Sequence, residues 1–331
     1  MATEMAQQPA VLEALAGRSD AIAGAVRQVA PRPLAGTAIV ARGSSDHASV
    51  YGRYLLELAS GRPVSLVAPS LHLLYRARVD YTGQLAIAVS QSGRTPEIVR
   101  TLAALRASGA CGLAITNDAA SELAGAADLP VVLGAGEERA VPATKTVTAQ
   151  LLAFALIARA LGDVPFADED LRVLPGAVAA VLGDPEPARA LAAELAGEDR
   201  LVVTARGLLY GAALEAALKL QETSAISADG LSAADLRHGP IAIVTAGFPV
   251  LVLDGPGPAH ADVAALIADL RARGARVWTI APGGDLPLPD LHEGLLPIVA
   301  VVRAQQLARE LALARDRDPD APAGLRKVTA T

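Results

Sequence analysis

Short apolar runs alternate along the chain with segments that carry apolar residues three and four positions apart. In the first half the runs are TAIVA (37–41), PVSLVA (63–68), LAIAVS (85–90), GLAIT (112–116) and LPVVL (129–133). Between them lie stretches such as ASVYGRYLLELA and TPEIVRTLAALRASG, whose period is that of a helix with one buried face. The second half repeats the alternation with RLVVTA (200–205), IAIVTA (241–246), FPVLVLD (248–254), RVWTIA (276–281) and LLPIVAVV (295–302), and YGAALEAALKLQET (210–223) reads as a helix. Strands that alternate with helices predict a parallel sheet covered on both faces, so each half is expected to be a doubly wound α/β unit.

The two halves also echo each other in short motifs. Ala41-Arg42-Gly43 follows the first run, and Ala205-Arg206-Gly207 follows its counterpart in the second half. LRASGA at 105–110 returns as LRARGA at 270–275, and the two offsets agree to within a single position. Motifs that repeat in order at nearly one spacing indicate a duplicated unit. The pattern is interrupted around 163–190 by FADED, PGA and GDPEP. The expected divisions are therefore an N-terminal subdomain over 1–165, a C-terminal subdomain over 166–320, and a tail over 321–331 that closes the site.

Composition narrows the function classes. Of the 331 residues 52% are hydrophobic but only 3% aromatic, so the cores must be built from Ala, Leu and Val. The net charge of −6 argues against a nucleic-acid-binding surface. Cys111 is the one cysteine, which leaves no internal disulfide or cysteine metal site, and in the run GACGLAIT it reads as a buried, inert thiol. The N-terminus lacks the basic start and apolar stretch of a secretory signal, and no apolar run is long enough to span a bilayer. A cytoplasmic location is expected, with no membrane or nucleic-acid partner.

Ligands of open parallel sheets bind beyond the carboxyl ends of the strands. Two such handovers in the first half are rich in hydroxyls: Arg42-Gly43-Ser44-Ser45-Asp46, and Ser90-Gln91-Ser92-Gly93-Arg94-Thr95 ahead of Pro96. Backbone N–H groups at a helix start, together with hydroxyls, can cradle a phosphate. The same serines could equally serve as helix N-caps. The second half offers few hydroxyls at the matching places, so only the first is expected to hold a phosphate. No GxGxxG follows the first strand and no GxxxxGK[ST] occurs, which speaks against a nucleotide cofactor. In the second half Glu215, Lys219 and Glu222 share one stripe of a helix, which by itself reads as a solvated salt-bridge ladder. His238 sits in Arg237-His238-Gly239-Pro240, available for proton transfer near neutral pH but also readable as a surface histidine. No set of residues has metal-ligand spacing.

Six motifs in order resemble the SIS (sugar isomerase) family, in particular the isomerase half of glucosamine-6-phosphate synthase. They are RGSSD (42–46), SQSGRT (90–95), ATKTVTAQ (143–150), LEAALKLQE (214–222), LRHGP (236–240) and LRKVTAT (325–331), and EMAQQP near the N-terminus is similar to the family's opening segment. The resemblance covers essentially the whole chain and implies two tandem SIS subdomains of flavodoxin-like topology. It further implies that Ser44, Ser45, Ser90, Gln91, Ser92 and Thr95 hold a sugar phosphate. Glu222 would shuttle a proton between C1 and C2, and His238, supplied by the neighbouring subunit of a homodimer, would assist ring opening. Lys327 would form a Schiff base with the ketose and Lys219 would line the same pocket. No cofactor is implied.

The sequence departs from the synthase pattern in three ways. The glutaminase domain with its N-terminal cysteine has no counterpart in it, Ala143 replaces a serine, and Arg94 stands where the synthase has an acid. The ending RKVTAT is closer to stand-alone glucosamine-6-phosphate deaminases of the family. The expected reaction is therefore glucosamine 6-phosphate plus water giving fructose 6-phosphate plus ammonia. A fructosamine-6-phosphate deglycase, a galactosamine-6-phosphate deaminase and a non-enzymatic sugar-phosphate sensor are the alternatives. A sensor has no need of Glu222, His238 and Lys327 together, and no basic helix-turn-helix segment precedes residue 35.

Overall fold

Strands β1 (Gly36–Val40), β2 (Val64–Leu66), β3 (Gln84–Val89), β4 (Cys111–Thr116) and β5 (Leu129–Val132) form one sheet in the order β2-β1-β3-β4-β5. Strands β6 (Arg200–Ala205), β7 (Ser227–Ser232), β8 (Pro249–Leu253), β9 (Arg276–Pro282) and β10 (Leu286–Leu288) form a second, in the order β10-β9-β8-β6-β7. Every pairing in both sheets is parallel. Counted from the opposite edge, the second sheet has the same 2-1-3-4-5 order as the first, so the duplication is one of topology. This is a computed structural model, and it describes residues 1–327.

The repeat extends to backbone conformation. Gly43 and Gly207, matching members of the repeated triplet, have φ of 56° and 65°, and each follows the first strand of its sheet. Gly93 and Gly257 stand at the same offset from each other, have φ of 62° and 118°, and follow the third strand. Both pairs lie where the strand order reverses, which is where α/β sheets bind ligands.

The first unit comprises Val11–Glu138 and Lys145–Pro165. One face of its sheet is sealed by a cluster that includes Val40, Ala86, Ala88, Ile98, Leu102, Leu105 and Leu123. The helices Ser44–Ser60 and Lys145–Leu161 pack against each other. Their approach is so close that a Cβ on Gly52 would run into the ring of Phe154. Cys111, read from sequence as buried, is only part-buried because it opens β4 at the edge of the sheet's interior.

The second unit comprises Met1–Ala10, Arg139–Thr144 and Phe166–Lys327. Its sheet is covered by Leu236, Val244, Phe248, Val263, Leu266 and Leu270, among others. Two sequence expectations fail here. IAIVTA is not a strand: Pro240–Ile243 forms a 3₁₀ turn with Ile243 exposed. The second strand is instead the polar segment Ser227–Ser232, paired along its whole length with β6. It lies at the sheet edge, is half-exposed over much of its length, and so needs little apolar content. LLPIVAVV likewise opens the helix Leu296–Ala314, with Pro297 in its first turn. Residues 296–302 are all apolar and all buried, so that opening stretch shows no helical period. Further along the helix Arg303 donates to the carbonyls of Pro287 and Asp184 and to Gln306 Oε1, which satisfies a guanidinium only 2% exposed. Of the expected 321–331 tail, residues 328–331 lie outside the described residues.

Candidate active site

In the first unit the chain leaves β1 through Arg42 and left-handed Gly43, and enters the helix Ser44–Ser60. No side chain caps that helix, and Thr95, at the N-cap position of Pro96–Ala107, does not cap its helix either. The hydroxyls of this crevice are therefore not spent as N-caps, and two helix N-termini present uncapped N–H groups with their positive dipole ends. Ser90 Oγ lies 3.2 Å from Thr95 Oγ1, and the backbone N–H of Arg94 donates to Ser92 Oγ. Gly93 folds the loop: its φ is positive, and a Cβ there would collide with the Ser121 side chain. Ser45 is buried, and its hydroxyl accepts from Gln150 Nε2 at 3.1 Å. Ser44, Gln91 and Ser92 are half-buried along the same two loops. Asp46, in the first turn, has its carboxyl pKa raised by burial, with His47 and Arg42 opposing the shift. The arrangement suits an anion with several acceptor oxygens.

In the second unit the stripe of ionisable groups is not a solvated ladder. Lys219 is fully buried, with Nζ 3.3 Å from Glu215 Oε1 and hydrogen-bonded to Glu222 Oε2. Burial alone would lower the lysine pKa, but the two carboxylates outweigh it, so the ammonium is held charged. Glu215 is buried as well, whereas the Glu222 side chain is 22% exposed. The helix thus presents one carboxylate outward on a buried ionic mount. Taking such a cluster of charges out of water is costly.

His238 ends the short helix Ala233–Arg237, which is started by Ser232 accepting from the Asp235 N–H and anchored by buried Ala233 and Leu236. Its ring is exposed and has no hydrogen-bond partner among the described residues. Gly239, with φ of 126°, and Pro240 turn the chain away after it. Lys327 Nζ donates to the carbonyl of Ala140 at 2.7 Å. Each unit carries its own set: hydroxyls and helix termini in the first, the Glu215–Lys219–Glu222 triad, His238 and Lys327 in the second, of which the triad is joined by direct contacts. Sequence reading passed over Gln150, and over Arg42 and Arg206 with their partners. The signal for the arginines was present, since both stand in the repeated Ala-Arg-Gly triplet. Among the described residues no group of His, Cys, Asp and Glu could hold a metal ion, and no helix is long and apolar enough to cross a membrane.

Comparison with known proteins gives a consistent family. The SIS domain model matches residues 37–160 and 194–292. A glutamine–fructose-6-phosphate aminotransferase (isomerizing) of Symbiobacterium thermophilum is 36% identical over 99% of this chain, which spans 58% of that relative's length. Among solved structures, the C-terminal domain of glucosamine-fructose-6-phosphate aminotransferase from Francisella tularensis superposes with a TM-score of 0.86 at 23% identity, covering 96% of each chain. A glucosamine-6-phosphate deaminase from Thermotoga maritima superposes with a TM-score of 0.80, also at 23% identity, covering 99% of each. At that identity the two structures speak to the fold alone.

Proposed function

The chain belongs to the SIS domain family, and from that premise we propose that it is a phosphosugar isomerase acting as a glucosamine-6-phosphate deaminase. The observation that carries the reading is Glu222, a partly exposed carboxylate fixed by a fully buried lysine on a largely buried helix. A protein that only binds sugar phosphate would gain nothing from so costly a mount. The uncapped helix termini and the hydroxyls of the first unit support a phosphate as the other half of the ligand.

In this mechanism Ser44, Ser90, Gln91, Ser92 and Thr95 take the phosphate, with Ser45 holding the loop through Gln150. Binding energy far from the reacting carbons fixes the sugar in register. His238, contributed by the second subunit of a homodimer, passes a proton from O1 to O5 and opens the ring to the aldehyde. Glu222 removes the proton from C2, and the electron pair moves toward O1 to give an enolamine. The same carboxylate returns the proton to C1 while an amine N–H proton passes through solvent to O1, which leaves C1 as an alcohol and C2 as an imine. Water adds to C2, the C–N bond breaks, and ammonia leaves fructose 6-phosphate. One carboxylate serves both carbons because they are neighbours. Lys219 holds Glu222 in orientation through their hydrogen bond, and Lys327 offers an amine for imine exchange with the ketose.

The test is ammonia release by purified protein from glucosamine 6-phosphate, galactosamine 6-phosphate and a fructosamine 6-phosphate. Fastest turnover of the first is expected. Preference for either of the others would move the substrate within the class, and no turnover of any would defeat the enzymatic reading.

A further inference from the structure

An arginine at the end of the first strand of each sheet is paired with an acid in the first turn of the helix that follows the third strand. In the first unit Arg42 donates one hydrogen bond to Glu97, Nη2 to Oε1 at 3.2 Å, and its Nε makes an ion-pair contact with Oε2 at 2.9 Å. In the second unit Arg206 Nη1 meets Asp262 Oδ2 at 3.1 Å. The two arginines hold matching places in the repeated triplet, and the two acids are separated by the same offset to within a single position. An acid in a helix's first turn is favourable in any protein. What the dipole does not explain is an arginine from the neighbouring loop on both occasions, each spanning the point where the strand order reverses.

The two copies differ in what the latch holds. In the first unit it joins the two loops that carry the hydroxyl cradle: Arg42 lies just before Ser44, and Glu97 just after Thr95. In the second unit those hydroxyls are absent, but the same carboxylate gains another arginine. Arg237 donates Nη1 to Asp262 Oδ1 at 2.9 Å and Nη2 to the Asp262 carbonyl at 2.8 Å. Arg237 immediately precedes His238. Thus Asp262 ties the end of β6, the start of the helix His260–Ala272 and the end of the helix Ala233–Arg237 into one clamp, and His238 is the residue that follows that last helix in the chain.

We infer that this duplicated arginine–carboxylate latch is a pair of positioning devices, Glu97 setting the phosphate loops through Arg42 and Asp262 setting His238 through Arg237. The inference rests on the function proposed above and assigns the two latches opposite kinetic signatures. A loosened cradle weakens ground-state and transition-state binding alike, which appears in KM, whereas a displaced imidazole appears in kcat. Misplacement of a catalytic group by about 1 Å can cost on the order of 100-fold, so changes of about tenfold are readable.

The experiment uses the full chain and the variants Glu97→Gln, Asp262→Asn and Asp262→Glu. Three quantities are measured: kcat and KM for glucosamine 6-phosphate, thermal protection by inorganic phosphate, and the NMR signal of the His238 imidazole. Glu97→Gln should weaken phosphate protection and raise KM at least about fivefold, with a smaller change in kcat. Asp262→Asn should lower kcat about tenfold or more, shift the His238 signal and leave phosphate protection as in the wild type, while Asp262→Glu recovers most of the rate. Parallel losses in kcat and KM from both variants, tracking lower melting temperatures, would reduce the latches to general stabilisers and overturn the inference. Variants kinetically like an active wild type would do the same. A wild type that neither turns over the sugar nor is protected by phosphate defeats the proposed function instead. In that event the latch stands if Asp262→Asn still moves the His238 signal, and falls if it does not.

Discussion

Lys219 shows how a single residue can be both a liability and a tool. Burying an ammonium costs several kcal/mol, and only the two flanking carboxylates offset it. Its pKa is raised, so the folded protein binds this proton more firmly than the unfolded chain does. The stabilisation is therefore complete below the ordinary lysine value of 10.5 and fades only as pH climbs through the higher folded value. Lys219→Met should destabilise the protein by about 3–5 kcal/mol, because Glu215 and Glu222 lose their counter-charge in a buried setting. It should also remove part of the decline in stability that urea denaturation records above the ordinary lysine value. An unchanged alkaline limb would mean that the ammonium is not held by this pair. The stripe itself was legible from spacing, whereas His238 was singled out by its place ahead of Gly239-Pro240. What spacing could not reveal was burial, since the same i, i+3 and i+4 pattern on an exposed helix would be a surface ladder. The arginine latches were harder still, because each joins two loops far apart in sequence, beyond the reach of any local pattern.

At the scale of elements, the first sheet follows its apolar runs one for one, while the second departs from them twice. Both departures have one cause: apolarity marks burial, not the kind of element. Ser227–Ser232 is a polar strand because it lies at an edge, and Leu296–Ala314 opens on an unbroken apolar stretch because that stretch is buried all round. Helix packing in the first unit makes a sharper claim. Replacing Gly52 with alanine would ordinarily favour a helix by about 1 kcal/mol. Here the new methyl runs into the Phe154 ring in a well-filled core, and overpacking of that kind costs about 1–3 kcal/mol. Gly52→Ala should therefore lower the urea midpoint with an unchanged m-value, and Phe154→Leu in the same chain should recover part of the loss. A rise in the midpoint would mean that the two helices are free to separate.

For the molecule as a whole, the duplication gives two scaffolds of one topology that carry different residues at matching places. The first has hydroxyls and uncapped helix starts at its switch point, and the second has few hydroxyls there but carries an ionic triad, His238 and Lys327. The contrast between hydroxyl-rich and hydroxyl-poor loops at matched positions was readable from the sequence, and under the proposed function it is a division of labour. It predicts that binding and turnover can be separated by mutation. The most direct measurement is made on Glu222→Gln: the calorimetric dissociation constant for glucosamine 6-phosphate together with the rate of ammonia release. The constant should stay within about twofold of wild type while the rate falls by about 100-fold to 10,000-fold, the usual worth of a general base. A variant that still releases ammonia at close to the wild-type rate would contradict the assignment of the proton shuttle to this carboxylate.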